Sequence, residues 1–286
     1  MNCIRTFLLT STSIIILYCS GCSSASSIEL PAVSIDVDGQ SRSYHIFVPT
    51  NTSTSMPVLL AFHGGGGAGF EFPQQREFET LASENGFILA LPQAVLVDGN
   101  EGEWQLNTTS ERDQDIRYVR KIIANISTNH DVNLSKIYAI GYSLGSMFTY
   151  ELACQMSSEL KAVASFAGTM PVNVASCNQP RNIPIMHIHG TDDGIISYQD
   201  SWDWKSWSHV GPMRNIPDLL TYWSTKYNCQ EETQSSEGTA DHFVYSDCIG
   251  EGHLEHYRLD GQDHGWPEMI GSQVTARKVW SFLSRY

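Results

Sequence analysis

Gly141-Tyr142-Ser143-Leu144-Gly145 follows a short apolar run at residues 136–140 (KIYAI) and precedes a second apolar stretch at residues 146–156. The first run reads as a strand and the second as a helix, so the pentapeptide occupies a strand-to-helix turn. A G-x-S-x-G at such a turn exposes the serine hydroxyl above a sheet. Glycines on either side of the serine let strand and helix approach closely, because neither carries a Cβ. Ser143 then stands at a helix N-terminus, and the amide of Leu144 points toward any negative charge that develops there.

Working outward, residues 57–62 (PVLLAF), 87–91, 162–167 and 183–188 are continuous apolar runs of buried-strand length, and residues 253–259 read as one more strand. Helical spacing recurs at residues 73–85 with Gly86 as C-terminal cap, at 113–130, at 216–227 and in the closing segment through Val274, Val279 and Leu283. Residues 33–38 and 43–48 alternate apolar and polar around Asp38-Gly39, a hairpin signal. A hairpin followed by strand–helix alternation predicts an α/β protein: one mixed, mostly parallel twisted sheet with helices on both faces. The polar run at residues 231–240 is expected to be a solvated loop, and Asp113 and Asp115 to serve a helix dipole or cap.

Two further motifs follow strand ends. His63-Gly64-Gly65-Gly66-Gly67 comes directly after residues 57–62. Its glycines free backbone amides to face a pocket, so Gly65, with Gly66 as the alternative, is the candidate second donor to an oxyanion. His63 is expected to order that loop. His189-Gly190-Thr191-Asp192-Asp193 follows one strand, and Asp263-His264-Gly265-Trp266-Pro267 follows another. A serine needs a neighbouring base, and the base needs a carboxylate to orient it. The candidate set is therefore Ser143 as nucleophile, His264 as base and Asp193 as orienter, with Asp192 as the rival carboxylate.

These motifs, in this order, resemble extracellular esterases related to polyhydroxybutyrate depolymerases and feruloyl esterases, over roughly residues 31–286. The resemblance implies an α/β-hydrolase fold and a Ser-His-Asp esterase acting through an acyl-enzyme, without metal or organic cofactor. The expected substrate is a feruloyl or acetyl polysaccharide ester or a hydroxyalkanoate polyester, so a polymeric partner is implied. A lipase or peptidase on the same scaffold, or a binding protein that has lost catalysis, are the alternatives. The elbow departs from the family's usual Ser-Asn-Gly-Gly, reading Ser143-Leu144-Gly145-Ser146. The stretch SWDWKSWSHVG looks like an insertion. Its Trp202, Trp204 and Trp207, with Trp266, are candidate ring-binding residues or local packing.

Composition agrees with export. The net charge of −14 opposes binding to nucleic acid or to anionic lipid by charge. Arg5 is followed by a short apolar core that is under the roughly 20 residues a bilayer span needs. Residues 1–21 therefore read as a signal peptide, 22–30 as a flexible tether and 31–286 as one catalytic domain. Ser20-Gly21-Cys22 resembles a lipobox end, with Cys19 where an aliphatic residue is usual. Cys22 is thus the candidate lipid anchor, and ordinary cleavage nearby is the alternative; the protein is expected to be secreted or lipid-anchored. Cys154, Cys177, Cys229 and Cys248 remain, and sequence proximity favours Cys154–Cys177 and Cys229–Cys248 among three connectivities. His187 and His189 share one strand face and His253 and His256 lie on opposite faces, so no metal site is expected.

Overall fold

The computed structural model describes residues 30–50, 54–68, 71–97, 101–203 and 210–286. The signal peptide, Cys22, nearly all of the tether, Trp204 and Trp207 lie outside them. Strands β1 (Ala32–Val37) and β2 (Gln40–Phe47) form the expected hairpin. Asp38 and Gly39 turn it with φ of 55° and 81°, the left-handed pair a two-residue hairpin requires. The chain continues through β3 (Met56–Phe62), α1 (Gln75–Asn85), β4 (Ile88–Pro92) and the short pair β5 (Val95–Val97) and β6 (Glu101–Glu103). Next come α2 (Gln114–Asn129), β7 (Val132–Tyr142), α3 (Leu144–Gln155), β8 (Ala162–Phe166) and β9 (Ile185–Gly190). The short pair β10 (Trp202–Asp203) and β11 (Pro212–Met213) precedes α4 (Ile216–Tyr227). The chain closes with β12 (Glu231–Glu237), β13 (Ala240–Ser246), β14 (Leu254–Leu259), β15 (Met269–Ile270), β16 (Gln273–Val274) and α5 (Thr275–Leu283).

Among the described residues, ten strands make one sheet in the order β1-β2-β4-β3-β7-β8-β9-β14-β13-β12. The central strands from β4 to β14 are parallel, and both edges are antiparallel. Side chains alternate between faces along each buried strand. Leu60 joins the core beneath α2, α3 and α4, and its neighbour Leu59 joins the core beneath α1 and α5. Helix α3 is buried from Leu144 to Cys154, which explains why its sequence is apolar nearly all round.

Two expectations are corrected. Residues 231–237 are not a loop but edge strand β12, paired along its length with β13. Backbone hydrogen bonds recruit this segment, while most of its side chains face solvent, so no apolar alternation marks it. Asp115 does not merely serve the dipole of α2. It is 1% exposed, ion-paired to Arg42 at 2.9 Å, and accepts the Gln105 amide at 2.8 Å, tying β2 and the 104–108 segment to α2.

Disulfides join Cys154 to Cys177 and Cys229 to Cys248, 23 and 19 residues apart. Loops of that length imply about 3 kcal/mol of stabilisation each through the unfolded chain. The paired Cys154→Ser and Cys177→Ser variant is expected to lower the urea midpoint by a matching amount in non-reducing buffer. An unchanged midpoint would show that this bridge contributes no stability.

Candidate active site

Three parallel strands, β7, β9 and β14, end at the same sheet edge, where open α/β sheets place their sites. The residues just beyond them are Ser143, Asp193 and His264. Ser143 has φ 54° and ψ −119°, a backbone conformation that residues other than glycine rarely adopt. It is tolerated because neighbours clamp the turn on both sides. The Ser143 amide donates to Phe166 O at 2.9 Å, and Met147 N donates to Ser143 O at 3.0 Å. A Cβ on Gly141 would come 2.0 Å from Gly145 O, and one on Gly145 would come 2.1 Å from Phe62 O.

The other two loops are stitched to each other. Thr191 N donates to Leu259 O at 2.9 Å, Asp192 N to Gln262 O at 3.0 Å, and Gly261 N to Thr191 Oγ1 at 2.8 Å. A Cβ on Gly190 would come 2.1 Å from Gln262 O, so this contact also needs glycine. His264 Nε2 then lies 2.9 Å from Ser143 Oγ, and His264 Nδ1 lies 2.8 Å from Asp193 Oδ2. The ionised carboxylate accepts, so Nδ1 carries the proton and Nε2 accepts from the serine hydroxyl. Tyr142 Oη donates to His264 O at 3.2 Å and steadies the loop.

Asp193 is buried and Asp192 is exposed, its carboxylate accepting from Thr191 Oγ1. Burial alone would raise the pKa of Asp193. Hydrogen bonds from His189, His264 and Ile196 N outweigh it and hold the carboxyl well below the usual carboxylate range. Asp193 Oδ1 accepts Ile195 N at 2.9 Å and Ile196 N at 2.8 Å.

The glycine loop lies against the elbow. A Cβ on Gly65 would meet Leu144 Cδ2 at 3.6 Å, and one on Gly64 would meet Ser143 Cβ at 3.2 Å. The amide of Leu144 is in the first turn of α3, where no intrahelical acceptor exists. His63 is buried beneath this loop. Its Nε2 accepts Ala94 N at 3.1 Å, so Nδ1–H donates to Gly64 O at 2.7 Å. Trp104 Nε1 donates to His63 O at 2.9 Å. Burial keeps this imidazole neutral, its affinity for a proton lowered despite the Gly64 carbonyl. Glu151 of α3 holds the next segment, accepting Asn107 N at 2.7 Å, Thr108 N at 3.1 Å and Thr108 Oγ1 at 2.9 Å.

The tryptophans divide. Trp266 packs among Phe166, Phe72, Tyr142 and Phe78, with ring centroids 4.7–6.4 Å away, beneath the histidine loop. Trp202 is partly buried and packs against the core, in register with Met213.

Sequence patterning missed a buried set of groups behind Asp193. His187, His189 and His256 are fully buried, with Tyr150 and Tyr198 beside them. Their spacing on β9 was visible, but their meeting with His256 depends on the pairing of β14 with β9, where His256 is opposite His187. Burial, reinforced by neighbouring imidazoles, holds His187 well below the usual histidine range. Burial likewise takes His256 down to about 3. A histidine whose pKa is depressed in the fold binds its proton only on unfolding. Stability is therefore full above the unfolded value of about 6.5 and falls as pH drops from there toward 3. From pH 7 to pH 4.5, His256 alone is expected to remove about 3 kcal/mol of unfolding free energy. Urea melts across that range test this, and a flat midpoint would contradict it.

The fold is that of an α/β-hydrolase, with Ser143 at the sharp turn between β7 and α3. The chain belongs to the phospholipase/carboxylesterase family, whose model matches residues 47–205, more than half of its length. It is 23% identical over 257 residues to a bifunctional acetylxylan esterase/xylanase of Neocallimastix patriciarum, covering 87% of this chain and 34% of that protein. It is 21% identical to feruloyl esterase B of Piromyces equi, covering 80% of this chain and 42% of that protein. The chain thus spans less than half the length of these two relatives. Feruloyl esterase D of Neurospora crassa is 22% identical, with 89% of this chain and 85% of that protein covered. The fold is similar to that of an acetyl xylan esterase from Aspergillus awamori, at 14% identity and a TM-score of 0.67, covering 90% of this chain and 100% of that one.

Proposed function

We propose that this chain is an exported serine esterase that hydrolyses carboxylic esters, with aryl or acetyl esters on plant polysaccharide as its substrate class. The observation that carries the reading is the unbroken path from Ser143 Oγ to His264 Nε2 at 2.9 Å and from His264 Nδ1 to Asp193 Oδ2 at 2.8 Å, on a strained elbow. Ser143 Oγ attacks the ester carbonyl and its proton passes to His264 Nε2. Asp193 stabilises the imidazolium and holds the ring in position. The amides of Leu144 and Gly65 receive the oxyanion. The imidazolium then protonates the leaving alkoxide, and the acyl-Ser143 ester remains. Water, deprotonated by His264, releases the acid. No step calls for a metal or an organic cofactor.

Substrate class is supported by the relatives named for feruloyl and acetylxylan esters. Export, with Cys22 as a lipid anchor and residues 22–30 as tether, belongs to the same reading. The two disulfides support an oxidising compartment. Trp204 and Trp207 are proposed to contact the sugar or aryl ring.

A panel of p-nitrophenyl acetate, methyl ferulate, acetylated xylan and a hydroxybutyrate oligomer tests the reading on the chain from Ser23. The first three are expected to be turned over, and methyl ferulate or acetylated xylan better than the oligomer. No turnover on any ester by folded, disulfide-bonded protein would reject it.

A further inference from the structure

The catalytic carboxylate has a second imidazole partner that the mechanism above does not use. His189 Nε2 lies 3.1 Å from Asp193 Oδ2 and 2.8 Å from Ile196 O. Both facing atoms are acceptors, so Nε2 must carry a proton. The other ring nitrogen, Nδ1, lies 3.2 Å from His187 Nε2. His187 Nδ1 lies 2.7 Å from Tyr150 Oη and 3.2 Å from Ser165 Oγ. One arrangement satisfies every ring nitrogen. Tyr150 O–H donates to His187 Nδ1, His187 Nε2–H donates to His189 Nδ1, and His189 Nε2–H is shared by Asp193 and Ile196 O. His256 frames the set from β14, with Nδ1–H toward His187 O at 3.2 Å and Nε2 accepting from Tyr198 Oη at 2.9 Å.

We propose that His189 is a positioning residue for the Asp193–His264 pair: its Nε2–H holds the carboxylate oxygen that receives His264 Nδ1–H and pins the turn from Asp193 to Ile196 around it. The catalytic part of this statement rests on the proposed esterase. The geometry explains why a buried carboxylate with two competing imidazoles keeps one orientation. Oδ1 is committed to two backbone amides, and Oδ2 is fixed between His189 and His264. A histidine here does what a hydrophobic residue of similar size would not, because it donates in one direction and accepts in the other within a dry strand layer.

The direction of the effect follows from proton balance. A carboxylate that loses one donor attracts the remaining donor more strongly. His264 imidazolium is then favoured, and the acid limb of kcat/KM moves to higher pH. The titratable and charged groups facing this set are His187 and His189 on β9, His256 and Arg258 on β14, Asp241 and His242 on β13, Tyr150 on α3, Tyr142 on β7, Tyr198 on its loop, and Asp263 beside His264.

His189→Asn and His189→Gln separate positioning from packing. The Asn amide stands where Nδ1 stood and cannot reach Asp193. The Gln amide extends to the Nε2 position and can donate. On p-nitrophenyl acetate, His189→Asn is expected to lose about tenfold or more in kcat at unchanged KM, with its acid limb displaced to higher pH. His189→Gln is expected to keep most of both. Wild-type kcat and acid limb in His189→Asn would overturn the proposal. So would equal losses in the two variants with an unmoved limb, which would mark packing alone. A readout independent of turnover and of variant folding is the 15N tautomer spectrum of the wild-type histidines. His189 is expected to carry its proton on Nε2, and a bare Nε2 would overturn the proposal. A wild type without ester turnover would defeat the esterase reading instead, and the tautomer would still decide whether His189 holds Asp193.

Discussion

Ser143→Ala is expected to lower kcat by about six orders of magnitude while leaving KM and the melting temperature nearly unchanged. The size follows from the unit character of the site. In the proposed mechanism, loss of Oγ leaves His264 no hydroxyl to deprotonate and Asp193 no imidazolium to stabilise. Only the amides of Leu144 and Gly65 would still act on the carbonyl, and the residual rate would be water attack in a polarised pocket. The fold is insulated from the change, because the elbow is held by Ser143 N to Phe166 O and Ser143 O from Met147 N, not by the hydroxyl. Alanine also fits the space. Ester hydrolysis and covalent labelling by a fluorophosphonate check the two halves. Turnover surviving at a few per cent would remove Ser143 from its assigned role.

Gly145→Ala is expected to produce a large loss of stability from a single added carbon, about 3 kcal/mol or more, with activity falling as the loop is displaced. The added Cβ would stand 2.1 Å from Phe62 O and 2.5 Å from His63 O. Both are backbone atoms in the last residue of β3 and the first residue of the glycine loop, so no rotamer change relieves the contact. Either the N-terminus of α3 tilts away from β3, or the loop carrying Gly65 moves from the amide of Leu144. Gly194→Ala is the matched control, since a Cβ there meets nothing within 4 Å. It should melt within about half a kcal/mol of wild type. Urea denaturation of both variants decides the matter. Equal midpoints would mean that the elbow yields more easily than its spacing implies.

Much of this protein is written in local pattern. The elbow could be read from five residues because a strand, a sharp turn and a helix N-terminus each leave local marks. Glycine is required wherever backbone approaches backbone. The buried strands could be read because their apolar runs have strand length, and α1 because Gly86 caps it at φ 70°. The candidate serine, aspartate and histidine could be named because each follows a strand end in a recognisable order.

Other features have no local signature. Strand β12 is polar on both faces and exists because β13 offers it a row of backbone partners. Asp115 looks like any acidic residue in a first helical turn until Arg42 arrives from a strand more than 70 residues earlier. The histidines at 187 and 189 looked idle because their partners come from elsewhere. His256 faces them through the register of β14 on β9, and Asp193 returns to His189 through a four-residue turn. Spacing along the chain decides which face a side chain takes. What waits on that face is set by which strands become neighbours, and those contacts form only when the sheet assembles.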